Sequence, residues 1–239
     1  MSAPESPLTR AAGRRFYDEV SQARINPELN PYVGSHATFG PEVIPAEDAA
    51  GVGARAEALF QRVAPLHVEI GSGNGFYLSG MAALHREWDW IGVEVRYKRV
   101  ELAARKLRSA GLTNARVVRY DAFLVEELFG PGTLAGLHVN HPDPWHKERH
   151  AKKRLIGPAF VEVAGRLLAV GGELRLKTDF PPHVDALIEA IVGTPFTVLG
   201  VSRDIRAGGA PWADEVRTNY QRKADERGVA VAGVWLRRG

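Results

Sequence analysis

Between Val68 and Gly75 the chain reads Val-Glu-Ile-Gly-Ser-Gly-Asn-Gly, an apolar strand end running into three glycines at alternate positions, Gly71, Gly73 and Gly75. No other stretch constrains the fold as much. Alternate glycines turn the backbone sharply and bring its N–H groups against a ligand with no side chain between them. A strand that feeds such a turn and then a helix, here Phe76 to Arg86, is the opening unit of an α/β sheet. The spacing also disfavours one class of occupant. The dinucleotide fingerprint G-x-G-x-x-G needs a glycine where Phe76 stands, whereas the third glycine arrives one residue early, so a nicotinamide enzyme is not expected.

Glu69 falls at the carboxyl end of this strand, the edge where open α/β sheets bind ligands. Its charge repels a phosphate and attracts an ammonium or a sulfonium. S-adenosylmethionine carries both cations, and E-x-G-x-G-x-G resembles the loop of class I methyltransferases. A tight turn with no ligand is the plainer alternative. Two further carboxylates weigh against it. Trp90 to Val95 reads as a second strand, and Glu94 follows the glycines at about the interval of an acidic ribose ligand, with two oxygens for two hydroxyls. Ala115 to Asp121 reads as a third strand, with Asp121 placed to accept from an adenine amino group. Either residue alone suits a solvated strand end or a helix cap; three in succession, each just past an apolar run, are harder to explain that way.

From about residue 54 helix and strand patterns alternate, predicting a mostly parallel sheet covered on both faces. Helices are expected over Lys98 to Ala110, from Pro158, and from Pro181 to about Val192. Further strands are expected at Leu134–Asn140, Glu173–Lys177, Phe196–Val201 and Val229–Leu236. Seven strands is the count of the class I methyltransferase sheet, a Rossmann-like α/β fold; that resemblance, not periodicity, implies that the last is antiparallel. Residues 1 to 48 hold six prolines and no sustained apolar period, and read as an extended basic arm with Arg10, Arg14, Arg15 and Arg24. It is either a passive tail or a flap that orders on a polyanion. Residues 49–239 then form the catalytic domain.

The absence of cysteine excludes disulfides and thiolate-held zinc, and no segment resembles a signal peptide or a membrane span, so a soluble cytoplasmic protein is expected. A net charge of +3 is too small to imply nucleic acid by itself; distribution matters more.

The fourth strand runs into Asn140-His141-Pro142-Asp143-Pro144-Trp145-His146-Lys147, where a methyl acceptor would meet the sulfonium. Prolines on both sides of Asp143 restrict its backbone. Trp145 either stacks on a base or packs the loop. The run from Lys147 to Arg154 is basic with a single acid; beside a reaction centre it suits a phosphate backbone, although such runs are commonly solvated faces. A long segment before the last strand, with Trp212, Glu215, Arg217 and Thr218 to Gln221, reads as a substrate-facing insertion or as ordinary loop chemistry.

From about residue 30 onward the chain resembles the bacterial tRNA (guanine-N7)-methyltransferases, most specifically in Pro142 to Lys147 and the basic run after it. The resemblance implies transfer of a methyl group from S-adenosylmethionine to guanine N7 in tRNA, forming 7-methylguanosine. It implies that Glu69, Gly71, Glu94, Asp121 and Asp143 bind the cofactor, with Asp143 also catalytic, and that Lys147, Asp179, Thr218 and Gln221 contact the substrate. No metal or membrane is implied, and a monomer is favoured although the oligomeric state stays open. Two positions depart from the family pattern: Gln221 replaces a glutamate, which puts a role needing full negative charge in doubt, and His141 replaces a phenylalanine. The alternatives are a small-molecule methyltransferase and an RNA-binding member of the same fold with weakened catalysis.

Overall fold

The computed structural model describes residues 7–8 and 40–239. Its strands are β1 (Val43–Ile44), β2 (Leu66–Ile70), β3 (Asp89–Glu94), β4 (Ala115–Arg119), β5 (Leu134–Asn140), β6 (Leu168–Thr178), β7 (Phe196–Ser202) and β8 (Ala232–Arg238). They form one sheet in the order β1-β4-β3-β2-β5-β6-β8-β7. Pairings from β1 through β6 are parallel, and β8 lies antiparallel between β6 and β7.

The class I methyltransferase sheet is therefore present with one strand more than the seven expected. The addition is β1, inside the segment read as an arm, where Val43 and Ile44 are buried and register with Val117 and Val118. Two apolar residues between Pro41 and Pro45 carry no period, so only the free edge of β4 turns them into a strand. Leu8, 2% exposed, also joins the core. The four arginines of the arm lie outside the described residues.

The helices are α1 (Ala56–Phe60), α2 (Phe76–Leu84), α3 (Tyr97–Ser109), α4 (Val125–Leu128), α5 (Pro158–Leu167), α6 (Pro181–Ala190), α7 (Ile205–Gly208) and α8 (Asn219–Glu226). Strand alternation divides the core in two. Leu66, Val68, Ile70, Ile91 and Val93 pack with α5 and α6, while Trp90, Ala115 and Val117 pack with α2 and α3. Pro158 and Pro181 start their helices at the position where the missing N–H costs nothing.

Sequence order along the sheet reverses between β2 and β5, so their carboxyl ends open on the topological switch point. The glycine loop sits there. Gly71, Gly73 and Gly75 have φ of 73°, 55° and 73°, the left-handed region that a Cβ disfavours. At Gly75 a Cβ would also lie 2.8 Å from the Ala103 backbone, so this glycine lets α3 close against the loop.

Candidate active site

A cavity of about 610 Å³ opens over the switch point, lined by Glu69, Gly71, Glu94, Asp121, Asn140 and Asp143 among others. Asp179 and Thr218 stand in the same wall, as do Arg99, His141 and Tyr220. The ends of β2, β3 and β4 thus present their carboxylates to one space, as their places in the parallel sheet require.

Glu69 is 2% exposed, and its Oε1 accepts from Asn140 Nδ2 at 2.9 Å. Its Oε2 is buried without a hydrogen-bond partner, and the nearby Leu78 backbone N–H also holds the carboxyl down. Burial pushes the carboxyl up to about 8, against the lowering effects of Asn140 and Lys177. An orphaned, desolvated acceptor facing a cavity fits a cationic head group, which supplies both the donor and the countercharge.

Glu94 is spoken for on both oxygens by the backbone: Oε2 accepts from Gly73 N at 2.9 Å and Oε1 from Arg96 N at 2.8 Å. Each oxygen keeps a second lone pair, so these bonds orient the carboxylate and leave it able to accept from a diol. They also tie the glycine loop to β3. Asp121 caps a 3-10 turn, Ala122–Leu124, through Phe123 N at 3.1 Å. Asp121 is thus a cap that also lines the cavity.

On the opposite side, Pro142-Asp143-Pro144 is bracketed by two non-glycine residues with positive φ, His141 at 48° and Trp145 at 42°. Arg154 holds the loop, donating through Nε to Pro144 O at 3.1 Å and through Nη2 to Trp145 O at 3.2 Å. Lys153 lies over the Trp145 ring at 4.8 Å, and His150 meets its edge. The basic run therefore divides. Lys153 and Arg154 build the loop, while Lys147, Arg149 and Lys152 are exposed on its outer side. Asp143 itself is exposed at the cavity wall.

Lys147 and Gln221 do not line the cavity. Gln221 is 3% exposed and accepts from Lys177 Nζ at 3.3 Å, while its N–H donates to the Thr218 cap at 2.9 Å. Lys177, 1% exposed, donates also to Val216 O at 2.6 Å and pairs with Glu215 at 3.1 Å. Burial lowers its ammonium pKa, and Glu215 opposes that. A full negative charge thus reaches Lys177 from Glu215, and Gln221 contributes only an amide oxygen. Trp212 Nε1 donates to the other Glu215 oxygen at 3.0 Å, so the segment before β8 is anchored here and turns Thr218, Asn219 and Tyr220 to the cavity.

The sequence points to no role for Asn140 or Arg99, and to Tyr220 only as part of the substrate-facing Thr218 to Gln221 segment. Asn140 carried the signal that marked Glu69, a polar residue ending an apolar strand. Arg99 on α3 and Tyr220 on α8 meet at 3.3 Å across 121 residues of chain, which no local pattern encodes.

A family described as putative methyltransferase matches residues 63–232. A tRNA (guanine-N(7)-)-methyltransferase of Thiobacillus denitrificans is 37% identical over 181 residues, covering 75% of this chain and 76% of the relative. That of Leifsonia xyli is 38% identical, covering 73% and 77%. The chain belongs to the tRNA (guanine-N7)-methyltransferase family. Among solved structures, the 16S rRNA methyltransferase KamB shares the fold at a TM-score of 0.58 and 15% identity, covering 78% of this chain and 94% of that one. The antibiotic-resistance methyltransferase Kmr aligns at 0.52 and 18% identity, over 78% and 92%. No helix among the described residues is long and apolar enough to cross a membrane, and among them no group of three or more His, Asp or Glu is placed to hold a metal ion.

Proposed function

We propose that this protein transfers the methyl group of S-adenosylmethionine to N7 of a guanine in tRNA, giving 7-methylguanosine, as a cytoplasmic monomer. The observation that carries the reading is the gathering of Glu69, Glu94, Asp121 and Asp143 in one cavity beside exposed Lys147, Arg149 and Lys152. The family's relatives name tRNA and guanine N7. Residues 49–239 form the catalytic domain, and 1–48 an arm whose end is tied to the sheet by β1.

When bound, S-adenosylmethionine supplies a methyl group on a positively charged sulfur. Glu69, with its unpartnered Oε2, receives the amino-acid ammonium, and Glu94, oriented by Gly73 and Arg96, receives the ribose diol. The Asp121 carboxylate accepts from the adenine amino group. Gly71 leaves the loop open, since a Cβ there would meet nothing but would strain a φ of 73°.

Guanine N7 has an exposed lone pair and no proton to lose, so the chain needs no strong base. Placement and electrostatics do the work. Asp143 and Asp179 face the ring as it gains positive charge and accept from N1–H or the exocyclic amine, which adenine does not offer in that pattern. The hydrogen bond from His141 holds the Asp179 carboxyl below its usual range, so it is an acceptor at neutral pH. Thr218 contacts the base through its place in the wall. Lys147 meets the RNA outside the cavity, and Gln221 supports the substrate side from beneath.

The test is incubation of the full chain with labelled S-adenosylmethionine and unmodified tRNA, followed by nucleoside analysis. Label in 7-methylguanosine is expected. Absence of label from tRNA, with methylation confined to small molecules, overturns the reading.

A further inference from the structure

His141 touches both Asp179 and Tyr220 in the cavity wall. Its Nδ1 lies 3.2 Å from Asp179 Oδ1, and its ring stacks on Tyr220 at 5.7 Å and 25°. The side chain is only 3% exposed. Facing a carboxylate, Nδ1 must carry the proton and donate. Nε2 is buried without a partner, a cost accepted for the bond on the other side. The backbone is committed too. His141 N–H donates to Lys177 O at 2.8 Å, and its φ of 48° is a conformation that histidine, asparagine and aspartate enter more readily than phenylalanine does. A residue strained in the backbone and bound on two sides of its ring is over-determined by its surroundings, which is where strain persists for a purpose.

The two partners are disposed for a purine. Asp179 is half-exposed with its Oδ2 away from the His141 bond, and Tyr220 is 51% exposed, with Arg99 bonded to its hydroxyl at 3.3 Å. The imidazole packs offset against the tyrosine ring, which stays half-exposed and able to take a stacked base. Without His141, Asp179 loses its imidazole partner and the Tyr220 ring loses its backing.

We infer that His141 is a positioning residue that fixes Asp179 and Tyr220 as one guanine-reading surface, a proposal that rests on the tRNA guanine reading above. It makes no contact with the reacting atoms. Its contribution is to hold an acceptor and a stacking plane in fixed relation before the base arrives, so the ordering entropy is spent in folding rather than in binding.

The experiment compares steady-state methylation of unmodified tRNA by the full chain and by His141→Phe, His141→Asn and Asp179→Asn, with S-adenosylhomocysteine affinity measured for each. Phenylalanine keeps a ring against Tyr220 but cannot donate. Asparagine accepts the left-handed backbone and places an N–H near the position of Nδ1. His141→Phe should lower kcat/KM for tRNA about tenfold or more with S-adenosylhomocysteine affinity unchanged, and His141→Asn should recover to within about threefold of the parent. The double variant His141→Phe/Asp179→Asn should be no worse than the poorer single one, because both break the same link. Parent-like kinetics in His141→Phe, multiplicative losses in the double variant, or an equal fall in S-adenosylhomocysteine affinity would each overturn the inference while the tRNA reading stands. A parent chain that leaves guanine in tRNA unmethylated would overturn both.

Discussion

Asn140, the last residue of β5, donates its side-chain amide to Glu69 Oε1 at 2.9 Å across the switch point of the sheet. The bond satisfies one oxygen of a carboxyl buried to 2% exposure and leaves the other aimed without a partner. The site is thus built with a polar deficit that a cationic ligand corrects, at the point where parallel strands diverge.

That deficit makes ligand binding a proton-linked event. Burial raises the Glu69 carboxyl to about 8, so at pH 7 it is mostly protonated, whereas an ammonium requires the carboxylate. Binding of S-adenosylhomocysteine near neutral pH should release protons, seen as a dependence of calorimetric heat on buffer ionisation enthalpy. Glu69→Gln should abolish the release and weaken binding. For the free protein the sign is opposite to that of a salt-bridged acid. The unfolded chain loses this proton near 4.5 and the folded one near 8, so stability falls as pH rises through that window, and Glu69→Gln should flatten the slope. A binding heat independent of buffer would contradict this.

Asp143 tests the chemistry with the least disturbance to the fold. It is exposed, and the loop around it is held by Arg154 on the carbonyls of Pro144 and Trp145, not by the Asp143 side chain. Asp143→Ala should lower kcat by about 10²- to 10³-fold with urea denaturation unchanged. Near-normal turnover would remove Asp143 from the catalytic assignment.

Exposed charge should govern tRNA affinity and not the chemical step. Replacing Lys147, Arg149 and Lys152 by alanine should make the slope of log Kobs against log salt shallower by about 2, with kcat at saturating tRNA little changed. An unchanged slope would place the RNA elsewhere. Lys153 and Arg154 are unsuited to this test, since they pack and bond within the loop.

The neutral Gln221 is answered by Glu215. Glu215→Gln should destabilise the protein by about 2–3 kcal/mol, because it removes the carboxylate hydrogen-bonded to the buried Lys177 ammonium and leaves amide and carbonyl oxygens as its hydrogen-bond acceptors. Adding Gln221→Glu to that variant should restore part of the loss, which a double-mutant cycle in urea measures. Full additivity would mean that the two positions do not share Lys177.

Much of this was legible along the chain. Glycine spacing, strand-end carboxylates and alternating periods are local properties, and parallel strands in an α/β sheet carry their terminal residues to a common edge, so Glu69, Glu94 and Asp121 converge wherever such a sheet forms. Hence the class I sheet, its antiparallel last strand and the family are expected from the sequence, the last two through resemblance. Four things waited for tertiary structure. The strand β1 exists because β4 has an edge to offer; the Lys177 ammonium is balanced by a residue 38 positions away; the basic run splits into loop-builders and exposed charges; and His141 stands between Asp179 and Tyr220. Each is a pairing of side chains or backbones brought together by folding alone, and such pairings leave no period or spacing in the sequence to read.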